Sequence, residues 1–399
     1  MQKIIISLLL LFSIIGNSQI DPLRASDFEN QQKWVDSTLN KMTIDQKIGQ
    51  LFMVAVSSNK DKKHTDEIVK LIEKYKVGNL IFMKGTPKKQ VELNNLFQSK
   101  AEIPLLIGFD GEWGLDMRLK NTYRFPWNMT LGAIRDNQLI EQFGKRLGEH
   151  CKRVGIHINF APVLDINTNP KNPIIGNRSF GEDKENVTLK ASAFVKGMQS
   201  VGVLANGKHF PGHGDTSQDS HKTLPSIKFS EKRIDSVELY PYKYLFNEGL
   251  ASVMVAHLNI PSLEKKANLP SSLSENVVTN ILKNRLNFQG LIFTDGMGMA
   301  GASNYGKPSE VNLKAFLAGN DILLIPSEIP NTIKLFKKAL KDGILTQERL
   351  EYSVKKILKA KYLVGLKTYN PISETNLLSD LNTPKDEVLH RDLIKNSLT

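Results

Sequence analysis

The chain has 399 residues, 40% of them apolar, enough to bury a core of its own, which excludes a disordered or fibrous chain. Its formal net charge of +12 is mostly lysine and favours anionic surroundings, yet no nucleic-acid motif or arginine–aromatic cluster accompanies it. A single cysteine, Cys151, excludes an intrachain disulfide and reads as a buried, inert thiol in a helical stretch.

In chain order, residues 1–18 come first: Lys3, an apolar run from Ile4 to Ile15, then Gly16, Asn17 and Ser18. This is the pattern of a secretory signal peptide cut near Ser18 or Gln19, and the run is short for a spanning helix. An uncleaved amphiphilic anchor is the alternative, and a lipid-modified cysteine is excluded because the segment has none. The expected location is the periplasm or the medium, with no stable membrane insertion after cleavage.

Residues 19–367 read as one catalytic barrel. Ala25 to Lys47 looks helical and is placed under the barrel. Eight short apolar runs follow: LFMVAV from Leu51, NLIFM from Asn79, IPLLIGFD from Ile103, IHINFAPVLDIN from Ile156, GVLANGKHF from Gly202, ASVMVAHLNI from Ala251, GLIFTDG from Gly290 and DILLIP from Asp321. Amphipathic stretches separate them, among them those starting at Asp66, Glu185 and Glu275. Near-continuous rather than alternating hydrophobicity fits parallel strands covered on both faces.

Eight such units predict an α/β fold, a (β/α)8 TIM-type barrel whose early strands are allowed to be irregular. The rival, an open doubly wound sheet, lacks a G-x-G-x-x-G after its first strand. A helix near Asn331 to Lys341 and ERLEYSVKKILKAKYLVG should pack outside the barrel. Residues 368–399 read as a short polar tail with one short helical segment.

The strand ends carry Asp110, Asp165, Lys208, His209, His257 and Asp295, which a barrel gathers on one C-terminal face. Asp295 follows a buried strand directly, where an unpaired charge is costly. It is either a structural carboxylate accepting loop N–H bonds or a nucleophile or electrostatic stabiliser at an electrophilic carbon. Gly296 and Gly298 are expected to permit close backbone approach or unusual angles.

The stretch KHFPGHGDTSQDSH, Lys208 to His221, is a loop constrained by Pro211, Gly212 and Gly214. Asp219 and His221 stand two positions apart, so in an extended piece they share a side and the carboxylate orients the imidazole. That pairing suits proton donation and recovery near neutral pH, and equally a hydrogen-bonded surface turn.

His209, His213 and His221, with Asp215 or Asp219, offer zinc ligands, but H-x3-H-x7-H matches no zinc pattern and HExxH is absent. No G-x-S-x-G elbow occurs either. No metal and no cofactor is expected. Asp110 suits two substrate hydroxyls and Arg178 several ring oxygens, with Lys208 and His209 as further donors; the alternative for each is an internal ion pair. Trp113 and Trp127 either stack on a sugar or pack internally.

At this point the chain resembles glycoside hydrolase family 3, in its NagZ-type β-N-acetylglucosaminidase branch. The carriers are FDGEWG, APVLDINTNPKNPIIGNRSFG, KHFPGHGDTSQDSH and FTDGMGM, in family order over Met42 to Gly365. The resemblance implies Asp295 as nucleophile, His221 as acid/base and Asp219 as its partner. It matches Asp110, Arg178, Lys208 and His209 to sugar-binding positions, leaves Asp165 touching substrate or bracing loops, and makes His257 a weaker candidate. Gly296 departs from the usual residue after the nucleophile.

The implied activity is retaining exo-hydrolysis of terminal β-linked N-acetylglucosamine, from muropeptides or chito-oligosaccharides, by a monomer. Phosphorolysis and broader β-hexosaminidase or β-glucosidase activity are the enzymatic alternatives. A non-catalytic carbohydrate-binding barrel is the remaining one.

Overall fold

The computed structural model of the chain describes residues 20–220 and 222–398. Residues 1–18, read as a signal, and His221, read as the acid/base, lie outside the described residues.

All eight apolar runs form strands: β1 Phe52–Val56, β2 Asn79–Phe82, β3 Leu106–Phe109, β4 Ile158–Asn159, β5 Leu204–Phe210, β6 Ser252–Val255, β7 Leu291–Thr294 and β8 Leu323–Leu324. They pair in parallel in the order β7-β6-β5-β4-β3-β2-β1-β8. Closure comes from β7 and β8: Phe293 bridges Ile322, the Thr294 N–H donates to Ile322 at 3.0 Å, and the Met297 N–H donates to Leu324 at 2.8 Å. This is the (β/α)8 barrel, and β3 and β7 stand diametrically opposite in the ring.

Strand burial explains the lack of alternation. Nearly every strand residue is buried, because side chains fill the barrel on one face and meet helices on the other. β4 is short because Pro162 follows closely and cannot donate to the ladder. The Asn159 amide takes over, exchanging two hydrogen bonds with the Gly111 backbone at 2.8 and 3.0 Å.

The outer helices start at side-chain caps, among them Asp61, Thr86, Asp136, Asp183 and Thr346, each accepting from a first-turn N–H. The stretch before β1 splits into Phe28–Lys41 and Ile44–Gly49, with a capping box between Thr43 and Gln46 opening the second helix. Both pack on Gln347–Leu363, the last outer helix. Its Lys361 is fully buried under β2, donating to the Gly78 carbonyl at 3.0 Å and to Gln50 at 2.5 Å. Asn276–Arg285 winds as a π-helix where an ordinary helix is expected.

The tail contains more than one short helical segment: Leu377–Asp380 and the 14-residue helix Pro384–Ser397. The second returns to the barrel, where buried Asp386 takes a bidentate pair from Arg146 (2.7 and 3.0 Å) with His150 at 3.2 Å. Among the described residues no helix is long and apolar enough to cross a membrane.

Candidate active site

A cavity of about 270 Å3 opens at the C-terminal ends of the strands. It brings together Asp110, Arg178, Lys208, His209 and Asp295, five residues singled out in the sequence, with Glu112 and Arg118, which were not. Asp219 is not among the lining residues, but its neighbour Ser220 is.

At the β3 end, Asp110 accepts from Arg118 at 2.7 Å and from Lys208 at 3.0 Å. Behind it sits Glu112, fully buried, accepting from Lys208 at 2.8 Å and from the Arg178 fork at 2.8 and 3.0 Å. Burial would raise the Glu112 carboxyl, but Arg178 and Lys208 outweigh it and hold it well below the usual range. Burial likewise opposes, and Lys208 and Arg118 overcome, the shift of Asp110, which ends lowered. Two carboxylates thus fix three cationic donors around one open space.

β5 supplies two adjacent residues to the same cavity. Its ladder to β6 shifts register between Lys208 and Phe210, a bulge that re-aims side chains which strict alternation would send to opposite faces. The Lys208–His209 peptide is cis. Asp165 lies behind His209: its Oδ2 accepts from His209 Nδ1 at 2.7 Å, while Oδ1 takes the His209 and His213 N–H groups at 3.2 and 2.6 Å. Asp165, 1% exposed, therefore braces the loop and leaves His209 Nε2 for the cavity.

The loop after β5 is built close to the barrel. Gly212 sits at φ 138°, and a Cβ on Gly214 would fall 1.8 Å from the Ile166 carbonyl, so neither position admits a side chain. The ring nitrogens of His213 face Thr216 Oγ1 at 2.6 Å and Ser220 Oγ at 3.1 Å. Among the described residues no group of three or more histidine, cysteine or carboxylate side chains is arranged to hold a metal. The Ser220 carbonyl accepts from the Gly301 N–H at 3.3 Å, tying the segment just before His221 to the loop that carries Asp295. Half-buried Asp219 turns the chain, its carbonyl accepting from Lys222 and Thr223, both at 3.0 Å.

Across the ring, Asp295 Oδ1 accepts from the Gly296 N–H at 2.7 Å. Burial raises its carboxyl, but His209, His257, that N–H and Lys208 outweigh the effect and lower it. Asp295 is thus held as an anion facing the cavity. His257 does not line the cavity; fully buried, it places Nε2 3.1 Å from the Gly296 carbonyl and Nδ1 2.6 Å from Ser272 Oγ. The expected reason for Gly296 and Gly298 is corrected. Neither has a positive φ; a Cβ on Gly296 would touch Met299 at an ordinary 3.4 Å, and one on Gly298 would meet nothing within 4 Å.

Trp113 and Trp127 pack against each other with their rings tilted by 49°, centroids 4.1 Å apart, and neither lines the cavity. Glu112 and Arg118 escaped sequence reading because neither ends a strand, although both sit within eight positions of Asp110. Cys151 is fully buried in the helix Asn137–Arg153, and burial pushes its thiol up out of the reactive range.

The chain is 32% identical over 84% of its length to a "Beta-hexosaminidase A" from Pseudoalteromonas piscicida, of which it covers 60%. Among solved structures it superposes on a glycoside hydrolase family 3 β-N-acetylglucosaminidase from Paenibacillus sp. str. FPU-7 with a TM-score of 0.83 and 33% identity, over 89% of this chain and 69% of that one. It superposes on a beta-glucoside phosphorylase, BglX, with a TM-score of 0.87 and 26% identity, over 94% and 68% respectively. The chain thus spans about three fifths of the length of the first of these relatives. The model of the glycosyl hydrolase family 3 N-terminal domain matches residues 43–360, the whole of the barrel, and the chain belongs to that family.

Proposed function

We propose that the protein is a retaining exo-β-N-acetylglucosaminidase acting on terminal β-linked N-acetylglucosamine of peptidoglycan fragments or chito-oligosaccharides. The observation that carries this reading is Asp295, an anion at the cavity wall opposite the donors and acceptors of Asp110, Arg178, Lys208 and His209. Asp295 attacks the anomeric carbon while His221, oriented by Asp219, protonates the departing glycosidic oxygen. His221 then takes a proton from water, which attacks the same carbon and releases the sugar and Asp295. The reference imidazole pKa of about 6.5 suits a histidine to both proton roles at neutral pH.

The likeness to a chain described as a beta-glucoside phosphorylase favours a second reading, in which phosphate replaces water in the second step. An aryl-glycoside panel separates the two: N-acetylglucosaminide, glucoside and N-acetylgalactosaminide, with and without phosphate. Turnover of the N-acetylglucosaminide to free sugar supports hydrolysis; a phosphate-dependent sugar phosphate moves the assignment to phosphorolysis. Asp295→Asn should nearly abolish the first step, and unchanged turnover would remove Asp295 from the nucleophile role. His221→Ala should hurt poor leaving groups most, since they need the proton. The N-terminal pattern supports an envelope or secreted location, which fractionation tests, and we propose a monomer, which sedimentation tests.

A further inference from the structure

The cavity does not end at Asp110. A second cavity of about 530 Å3 lies over the C-terminal ends of β1, β2 and β3, lined by Ser58, Asn59, Lys84, Thr86, Asp116 and Lys120. Met117 and Arg118 line both cavities, so the two share a wall. The guanidinium in that wall is only half used: Nη2 binds Asp110, whereas Nε is buried with no hydrogen-bond partner among the described residues.

The floor of the second cavity is fixed by backbone bonds. Gly85 bridges Leu119, its N–H donating to the Arg118 carbonyl at 3.1 Å and its carbonyl accepting from Lys120 at 3.0 Å. The Lys84 carbonyl accepts from Asn59 at 3.3 Å, tying in the loop after β1. These bonds hold Lys84 and Lys120 at neighbouring positions. Both are exposed, and among the described residues no carboxylate lies within ion-pair distance of either; Asp116 faces Arg124 at 3.6 Å. The helix Pro87–Lys100 begins at the same edge, adding the positive end of its dipole.

The direction of a bound sugar follows from the ring of strands. A pyranose with its anomeric carbon at Asp295 on β7 directs its opposite edge toward β3, hence toward Asp110, Arg118 and the cavity beyond. We propose that the second cavity is a subsite for an anionic group on that remote edge of the terminal hexosamine. The group is a carboxyalkyl ether at O3 or a sulfate or phosphate ester at O6. This inference rests on the hexosaminidase reading above.

The test measures kcat/KM for three aryl N-acetyl-β-glucosaminides: unsubstituted, 3-O-carboxyethyl and 6-O-sulfate. Each is assayed with the wild-type protein and with a Lys84→Ala, Lys120→Ala double variant, at low and high salt. At least one anionic glycoside should exceed the neutral one by about fivefold, the magnitude of one or two exposed charge contacts. The anionic-to-neutral ratio should fall toward one in the double variant and at high salt. Which anionic glycoside is preferred identifies the group. A ratio at or below one for both, or an advantage that survives the double substitution, overturns the subsite while neutral turnover leaves the hexosaminidase reading standing. If none of the three is turned over, that reading falls and the subsite with it.

Discussion

Fully buried, Glu112 joins Lys208 on β5 to Arg178 in the loop after β4, so both cations are aimed by a group that never meets solvent. Removing one member of a buried ion network costs about 3–5 kcal/mol, because the partners keep their charge without compensation. Glu112→Gln should therefore lower the Tm and raise KM more than it lowers kcat, with kcat/KM down roughly a hundredfold, or about 3 kcal/mol. Thermal unfolding and steady-state kinetics read both effects; values within twofold of wild type would mean that Lys208 and Arg178 hold their positions unaided. Gly296 invites the opposite expectation. Its backbone angles suit an ordinary residue and its added Cβ meets Met299 at 3.4 Å, so Gly296→Ala should leave the Tm equal or slightly raised, by about 0.4–1 kcal/mol of stability. A lower Tm would show that the loop needs the glycine. The strand-end rule made Asp110 and Asp295 visible in the sequence. It says nothing of Glu112 or Arg118, whose importance depends on which loop residues meet across the ring.

At the scale of elements, the strands were legible because burial on both faces leaves unbroken apolar runs, and even two-residue β4 and β8 kept that signature. Helix type was less visible. Asn276–Arg285 has apolar residues at helical spacing but winds as a π-helix, with the Thr279 hydroxyl donating to the Ala318 carbonyl at 2.7 Å. A lysine on the last outer helix was equally unremarkable in sequence. Lys361 nevertheless ends in the barrel floor with only neutral acceptors, and burial pushes its amine down to about 7. Below that pH the amine is protonated in folded and unfolded chains alike. Between about 7 and its reference value near 10.4, only the unfolded chain keeps the proton, so the folded state gains stability as pH rises. Lys361→Met lacks this gain. The Tm difference, wild type minus variant, should grow between about pH 7 and pH 9; a difference flat with pH would mean that the buried amine stays charged.

Taken whole, the molecule is a barrel whose N-terminal helices pack on its last outer helix and which is strapped on one side by its C-terminal tail. The strap was not legible, because a polar segment with a modest helical pattern gives no sign of where it docks. Its anchor joins residues 240 positions apart, Arg146 and Asp386, and Arg153 adds bonds to the Ser373 and Thr375 carbonyls at 2.8 and 2.6 Å. The helix Pro384–Ser397 then packs on Asn128–Gly132, whose Asn128 amide donates to the Arg178 carbonyl at 2.8 Å. A path of contacts therefore runs from the tail to the backbone of Arg178, a residue that lines the cavity. Deleting residues 368–399 uncovers Arg146 and His150 and removes the backing of Asn128–Gly132. The Tm should fall by roughly 5 °C or more, as expected for losing a buried ion network. KM for the aryl N-acetylglucosaminide should rise while the fold survives, because the barrel ring itself is complete by β8. A truncated protein with unchanged Tm and KM would reduce the tail to a surface appendage; one whose Tm falls while KM holds would confine its role to stability and break the path to Arg178.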